Sequence, residues 1–498
     1  MNIYNMFRIK RLTSAFLACL FMGGAVDVNA QKQLNLSDVI HIARENSFSA
    51  QLARYSYMAS YWTYRSFKAQ LLPSMNLSGS LMNYNRSFVE ARNYEDGKIA
   101  YVENNSLSNA LSLSVDQNIL ATGGTISLQS YLYRLDQFNY NIRTYNSQPV
   151  RISYTQPLRA YNELKWEKKT APIEYTIAQK KYLESMEDIT ITATSLFFSV
   201  LSAQSNYQQS IKNYEDRQEL YEIAKKRFEL GTITKSDILQ MELSLLNEQV
   251  AVNDNKIDLN DRLYSLFSYL RISDYEGVEL IPPYTIPEIF MNTQDVMQKA
   301  LDNTSYLHSQ QLSVLESEKN LARVKATKGL QVRLNSEIGF TQTGNDFKAA
   351  YSRLKDNEII GVSVSMPIFD WGVSKGRVKM AEAQVEMTKT RIEQEQLEFN
   401  QTINRKVMQF NSHSVQCKNA LRAQDISAER YEISKKRFSS GAISVTDLNT
   451  AQSEMENAKS QYLNHLRTFW TDYYDLEKIT LYDWILKRDI NVDFDKIK

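Results

Sequence analysis

A 17-residue stretch occurs twice in this 498-residue chain. Residues 221–237 read Y-E-I-A-K-K-R-F-E-L-G-T-I-T-K-S-D and residues 431–447 read Y-E-I-S-K-K-R-F-S-S-G-A-I-S-V-T-D, with ten of 17 positions identical at an offset of 210. In both copies a helical run reaches Gly, crosses a few residues and resumes as helix around an Asp. The spacing is far longer than a solenoid unit of about 20–50 residues. It implies duplication of a whole module, so the fold must hold two long helical hairpins.

The runs that enter the two copies are long. Apart from Pro172 near the start of one, and Gly372 and Gly376 near the start of the other, neither Pro nor Gly interrupts 161–230 or 371–440. A helix of that length spans roughly 100 Å at about 1.5 Å per residue, which suits a structure crossing a wide aqueous gap. Ile403, Val407, Phe410, Ser414, Cys417, Leu421, Gln424, Ala428, Tyr431, Lys435 and Phe438 follow 4-3 steps. Subtracting 210 gives Ala193, Phe197, Val200, Gln204, Tyr207, Ile211, Tyr214, Gln218, Tyr221, Lys225 and Phe228, in the same phase. A 3.5-residue period means coiled-coil packing. Polar members such as Gln204, Gln218 and Lys225 fit either a solvated interface or the lining of a water-filled conduit.

The first 30 residues read as an address. Arg8, Lys10 and Arg11 precede an apolar stretch, Leu12 to Val26, and Val28-Asn29-Ala30 offers a small-residue cleavage site before Gln31. This is the layout of a secretory signal peptide, and the stretch is short for a spanning helix of about 17–25 residues. A lipoprotein signal at Cys19 fits poorly, because Leu20-Phe21-Met22 continues the apolar run. With Cys19 removed only Cys417 remains, so the exported chain has no internal disulfide, and Cys417 reads as a packed seam residue. Lys plus Arg number 58 against 57 acids, which gives no basic surplus for a nucleic-acid partner. No later segment reaches about 18 consecutive apolar residues.

Other segments alternate with period two. Met75, Leu77, Gly79 and Leu81 alternate with Asn76, Ser78 and Ser80, and Leu111, Leu113 and Val115 with Ser112, Ser114 and Asp116. Ile126, Leu128 and Leu132, and later Ile338, Phe340, Val362 and Val364, continue the theme. One apolar and one small polar face fits a soluble sandwich or a membrane barrel; an export signal and few other strands favour the barrel. Asp38, Ala43 and Asn46 match Asp295, Ala300 and Asn303 at an offset of 257, whereas Ser153 and Pro157 match Ser363 and Pro367 at 210. The first half therefore holds 47 extra residues between about 82 and 150, with runs 107–119 and 124–137 joined at Gly123-Gly124. An inserted hairpin keeps both ends of the strand region on the same side. Flanking segments about 85–106 and 138–149 are expected as longer external loops, and the hairpin either adds two strands to the barrel or projects outside it.

Taken together, these features resemble the TolC-type outer-membrane efflux family across essentially the whole exported chain. The pattern R-[FY]-x-x-G-x-x-x-x-x-D carries the resemblance, as Arg227-Phe228…Gly231…Asp237 and Arg437-Phe438…Gly441…Asp447. Leu72-Pro73, Gln156-Pro157-Leu158 and Met366-Pro367-Ile368-Phe369-Asp370-Trp371-Gly372 support it at strand entries and returns. The resemblance implies a mainly α chain with a transmembrane β-barrel portion: two repeats of long coiled-coil hairpins and barrel strands, forming a homotrimeric channel-tunnel. It implies an exit duct of a tripartite efflux or type I secretion system, located in the outer membrane with a periplasmic tunnel. A periplasmic adaptor and an inner-membrane pump would be its partners, with outer-membrane lipid around the barrel and no cofactor or metal. The implied pore constriction is Asp447 and Asp237 with Ser236 and Thr446; each Asp also reads simply as a helix N-terminal charge. The implied adaptor-docking tips are Arg227, Phe228, Gly231, Thr232, Arg437, Phe438, Gly441 and Ala442. Some members place an Arg two residues after the second Gly and an acid three after the Asp; here Ile443 and Thr450 stand there.

The implied organisation is a signal peptide 1–30, a first repeat 31–273, a linker 274–292, a second repeat 293–476 and a tail 477–498. Strands fall at about 73–158 and 330–368, and long helices at about 161–230, 233–271, 371–440 and 444–476. An enzyme is not expected: His41, His308, His413 and His465 share no ligand spacing, and no nucleophile or phosphate-loop motif is found. The alternative is a periplasmic coiled-coil tether without a channel, which explains the seam but not the strands at matching places in both halves. Peptide sequencing of the exported protein is expected to begin at Gln31; a lipid-modified Cys19 there overturns the reading.

Overall fold

The computed structural model describes residues 33–497, apart from 93–96, 98, 275–276 and 284–285. The expected signal peptide lies outside them. In chain order the elements are β1 (Gln33–Leu34), α1 (Leu36–Asn46), α2 (Phe48–Gln70), β2 (Ser74–Arg92), β3 (Ile99–Ile119), β4 (Gly124–Gln137), β5 (Ile142–Arg159), α3 (Glu163–Glu229) and α4 (Lys235–Leu270). The second half has β6 (Glu279–Leu280), α5 (Thr293–Asn303), α6 (Tyr306–Lys328), β7 (Gln331–Gly344), α7 (Phe347–Ala350), β8 (Lys355–Ser365), α8 (Val373–Ser439) and α9 (Val445–Thr480). A short β9 (Tyr482–Asp483) and β10 (Arg488–Asp489) complete the tail.

Helices α3 and α8 each run 67 residues, and α4 and α9 each 36. The absence of breakers allows this length, and side-by-side packing stabilises it. Toward the tips the lateral order is α4-α3-α9-α8, and toward the sheet it is α2-α3-α6-α8. Four helices therefore lie abreast at both levels, with α8 on one flank and α4 or α2 on the other. Between the levels, α1, α5, the parallel β1–β6 pair and the tail form a belt. The main core sits there, with Phe197, Phe198, Leu266, Phe410, Phe469 and Tyr473 fully buried. Cys417 belongs to it, and burial pushes its thiol up to about 11.

The seam holds in α8, where Ile403, Val407, Phe410, Ser414, Cys417, Tyr431 and Phe438 are buried. In α3 it departs from expectation. Ala193, Phe197 and Val200 are buried, but beyond Ala203 the buried face moves back one residue, to Ser210, Asn213, Arg217, Leu220 and Ala224, leaving Gln218 and Lys225 exposed. The reason is the neighbourhood. Helix α3 packs between α4 and α9, whereas α8 packs chiefly on α9 and meets α3 through side chains near the tip, so one sequence phase cannot serve both.

Six strands form one antiparallel sheet in the order β2-β3-β4-β5-β7-β8. Its apolar face continues through Leu77↔Leu113, Val115↔Leu128 and Leu128↔Ile152 into Ile152↔Ile338. Leu77, Leu113, Leu128, Ile152 and Ile338 all remain 41–69% exposed, leaving this apolar face uncovered. No described helix is long and apolar enough to cross a membrane. The expected external loops are corrected: β2 runs to Arg92 and β3 starts at Ile99, and the second connection is only 138–141. Paired backbone with an Arg86–Glu103 bridge at 2.6 Å, rather than apolar alternation, builds this extension, which reaches past the end of β4 at Gln137.

In the belt, Arg44 Nη2 sits 2.6 Å from the fully buried Glu187. Nearby Glu477, 5% exposed, is pushed up to about 8 by burial, with the charges of Glu187 and Asp483 adding to the rise. Above the ordinary carboxyl value the unfolded chain ionises here while the folded one keeps its proton, so this group's contribution to stability falls as pH rises toward 8. Glu477→Gln is expected to gain stability over the wild type between pH 5 and pH 9, on the order of a few kcal/mol. Thermal melts at both pH values check it; a pH-independent difference is the contrary outcome.

Candidate functional site

The long helices end at two turns of the same construction. At the first, Gly231 adopts φ +68°, its N–H donates to Phe228 O at 2.9 Å and the Thr232 N–H donates to Arg227 O at 2.9 Å. At the second, Gly441 adopts φ +81°, and Gly441 and Ala442 donate to Phe438 O and Arg437 O, each at 2.9 Å. This pair of bonds closes a helix through a left-handed residue, the conformation glycine adopts without steric cost.

Each returning helix begins with a capping box. The Thr234 N–H and Oγ1 donate to Asp237 Oδ2 at 2.9 and 2.8 Å, and the Asp237 N–H returns a bond to Thr234 Oγ1 at 3.2 Å. Ser444 and Asp447 repeat it at 3.1, 2.8 and 3.2 Å. The helix-terminal role of both aspartates is thus built into one protomer. Backbone and hydroxyl bonds from Thr234 hold the Asp237 carboxyl below its ordinary value, and hydroxyl and backbone bonds from Ser444 do the same for Asp447. Ser236, Thr446 and Asp447 are exposed and Asp237 is half-buried. Each Asp leaves its second oxygen outside the cap.

The two tips are not equivalent. Phe438 is 3% exposed and Phe228 is 40% exposed. Arg227 crosses from the first tip to the second, its guanidinium 5.7 Å from the Phe438 ring centre and its Nη1 donating to Phe438 O at 3.4 Å. The structure thereby brings Arg227, Phe438 and Gly441 together, while Arg437, Thr232 and Ala442 face solvent. Leu230, 77% exposed at the extreme of the first turn, is a candidate contact that the sequence motif did not single out.

Behind the tips lies a second cluster that sequence reasoning missed. Leu220, Ala224, Met241, Phe438, Val445 and Leu448 form a small core, joined by the partly buried Ile443. Polar ties flank it. Lys435 Nζ and Tyr431 OH reach Asp216 at 2.5 and 3.2 Å; Arg217 donates to Asn449 Oδ1 at 2.7 Å and to Gln452; Asn213 donates to Glu456 at 2.7 Å. Tyr431 and Lys435 were legible as seam members, but Asn213, Asp216 and Arg217 lie off the seam as the sequence shows it. Their signal is a polar run at 3–4 spacing, indistinguishable from a solvated face without the α3 rotation. Ile443 packs where an Arg stands in some members of the resembling family, and Thr450 bonds its own helix at Thr446 O.

Comparison with known proteins fits this geometry. Residues 296–480 match the family model described as outer membrane efflux protein. No curated protein matches the sequence significantly. Among solved structures, the CmeC outer membrane channel of Campylobacter jejuni is 16% identical with a TM-score of 0.65, covering 93% of this chain and 88% of its own. VceC of Vibrio cholerae is 12% identical with a TM-score of 0.62, covering 92% and 97%. The open-state MtrE outer membrane channel of Neisseria gonorrhoeae is 14% identical with a TM-score of 0.60, covering 92% and 91%.

Gly231→Val and Gly441→Val each force a branched residue into the left-handed region, at a cost of roughly 1–2 kcal/mol. Both variants are expected to loosen the tips through the backbone alone, because a Cβ at 441 makes only ordinary contact with Arg227 Nη2 at 3.4 Å and one at 231 meets open space. Limited proteolysis checks this, and equal cleavage of both variants and the wild type counts against it. Residues 296–480 match the outer membrane efflux protein family model, and the chain as a whole shares its fold with the outer membrane channels CmeC and VceC.

Proposed function

We propose that this chain is the outer-membrane exit duct of a tripartite efflux or type I secretion system, working as a homotrimer with a periplasmic adaptor and an inner-membrane pump. The observation that carries the assembly is an unpartnered flank running the length of the protomer. In the sheet, β2 and β8 are free edges. Above the belt, α2 exposes Phe48, Leu52, Tyr55 and Trp62, and α8 exposes Val373, Met380 and Met387. Below it, α4 exposes Leu239, Leu243, Leu246 and Val250, and α8 exposes Met408, Val415, Ile426 and Ile433. All follow heptad steps, which suit another helix rather than water. Since α2 leads into β2 and α8 follows β8, each flank is one continuous surface from sheet to tip. A second copy fits one flank against the other.

Closing this surface around an axis puts the polar face of the sheet and the helical tunnel inside. The tip motifs then ring the periplasmic end, where Asp237 and Asp447 act as the constriction and the exposed turns act as adaptor contacts. Ile368, Phe369 and Trp371, 71–91% exposed at the strand-to-helix return, fit the membrane interface. A tether without a channel leaves the amphipathic six-stranded sheet unexplained.

In a reconstituted channel, Asp447→Ala and Asp237→Ala are expected to lower cation selectivity several-fold and weaken block by multivalent cations. Because the caps lower both carboxyl values, wild-type selectivity is expected to persist at pH 5 and fade only near or below about pH 4. Loss already at pH 6 means that like-charge repulsion outweighs the caps. Unchanged selectivity in both variants rejects the acidic ring, and absence of a trimer in native membranes rejects the duct.

A further inference from the structure

We propose that β3 and β4 are full membrane-crossing strands, so that the assembly closes an 18-stranded barrel as wide as the helical tunnel beneath it. This rests on the trimeric duct reading. Leu77 matches Leu334 and Ser153 matches Ser363 across the duplication, which pairs β2 with β7 and β5 with β8. In the second half β7 and β8 are neighbours, whereas in the first half β3 and β4 stand between β2 and β5. The inserted hairpin lies in the middle of the sheet.

Its ladders run the full length of β4, with one register shift against β5 between Gln129 and Tyr131. β3 pairs with β4 from Ser106↔Gln137 to Ile119↔Gly124, and β4 pairs with β5 from Gln137↔Ile142 to Thr125↔Thr155. At 21 and 14 residues, both exceed the roughly 9–11 that cross a membrane. Their side chains keep the phase of their neighbours, with Leu111, Leu113, Ile126 and Leu128 on the apolar face. The connecting turn is tied to the helical side: Asn162, the cap of α3, donates to Leu120 O at 3.0 Å, and Gln117 donates to Leu71 O at 3.0 Å. A hairpin folded outside the barrel makes neither bond.

Six strands from each of three copies make 18. At about 4.8 Å spacing and 35–45° tilt, 18 strands have a perimeter of about 105–122 Å and twelve strands only about 70–81 Å. Four helices abreast in each of three copies make twelve, and at 8–10 Å spacing their perimeter is about 96–120 Å. The extra hairpin therefore lets the tunnel open into the barrel without narrowing. Cargo width is set at the helical tips and not again at the exit, so a solute or polypeptide filling the tunnel leaves unhindered.

The test follows β3 across the membrane in a Cys417→Ser background. Tyr101 and Ala121 lie near its two ends and are exposed. With a membrane-impermeant maleimide, Tyr101→Cys is expected to label on intact cells and Ala121→Cys only after permeabilisation. A trimer in which Ala121→Cys labels from outside, or Tyr101→Cys does not, overturns the 18-strand barrel and leaves the duct reading standing. A density map of the unmodified trimer gives a second readout, with 18 strands expected and twelve overturning the proposal. Failure to find a trimer overturns both readings together.

Discussion

Within hydrocarbon, a backbone N–H or C=O without a partner costs several kcal/mol, so a sheet in a membrane must have no edge. The six-stranded sheet has two, β2 and β8. Everything else about the protomer is arranged along the same two flanks. The strand on one edge continues α2 and the strand on the other leads into α8, so closing the sheet in the proposed trimer would also bring α8 against α2 and α4 of the next copy. The heptad stripes left exposed on those helices are the extension of that constraint into water, where apolar burial replaces backbone bonding as the driving force.

The belt is what allows such an elongated protomer to hold together. Two helices of roughly 100 Å cannot share one compact core, and the chain does not attempt it. Phe197, Phe198, Phe410, Phe469 and Tyr473 concentrate the burial where short elements can wrap the bundle. Toward the tips the packing thins to a small apolar cluster with polar ties, Asp216 to Lys435 and Arg217 to Asn449 and Gln452. Buried polar contacts of this kind stabilise little relative to apolar packing but lose much when broken, so they fix how the tip helices are arranged.

Much of this was legible from residues. The helix ends follow from Gly231 and Gly441, the returning helices from Thr234 and Ser444 with their N3 aspartates, and the inserted hairpin from the change of offset between the halves. The α8 seam also reads directly, since that helix has one principal partner below the belt. The α3 seam does not, because a helix wedged between two neighbours buries a compromise face that no single period describes. For the same reason Asn213, Asp216 and Arg217 look like surface. The upper parts of β2 and β3 escape notice because Asn104-Asn105-Ser106 has no alternation to detect; their pairing is backbone with an Arg86–Glu103 bridge. At the tips the sequence marks the turns but is silent on which aromatic packs and which faces outward.

That last difference changes how the repeated motif should be counted. Duplication supplied two copies of R-F-x-x-G, yet the fold has spent one on itself: Phe438 is enclosed and covered by Arg227, while Phe228 stays half open beside Leu230. A partner that reads the aromatic finds it once per protomer. In the proposed trimer the stoichiometry presented to that partner is three rather than six, and the retained twin packs against the tip that displays its copy.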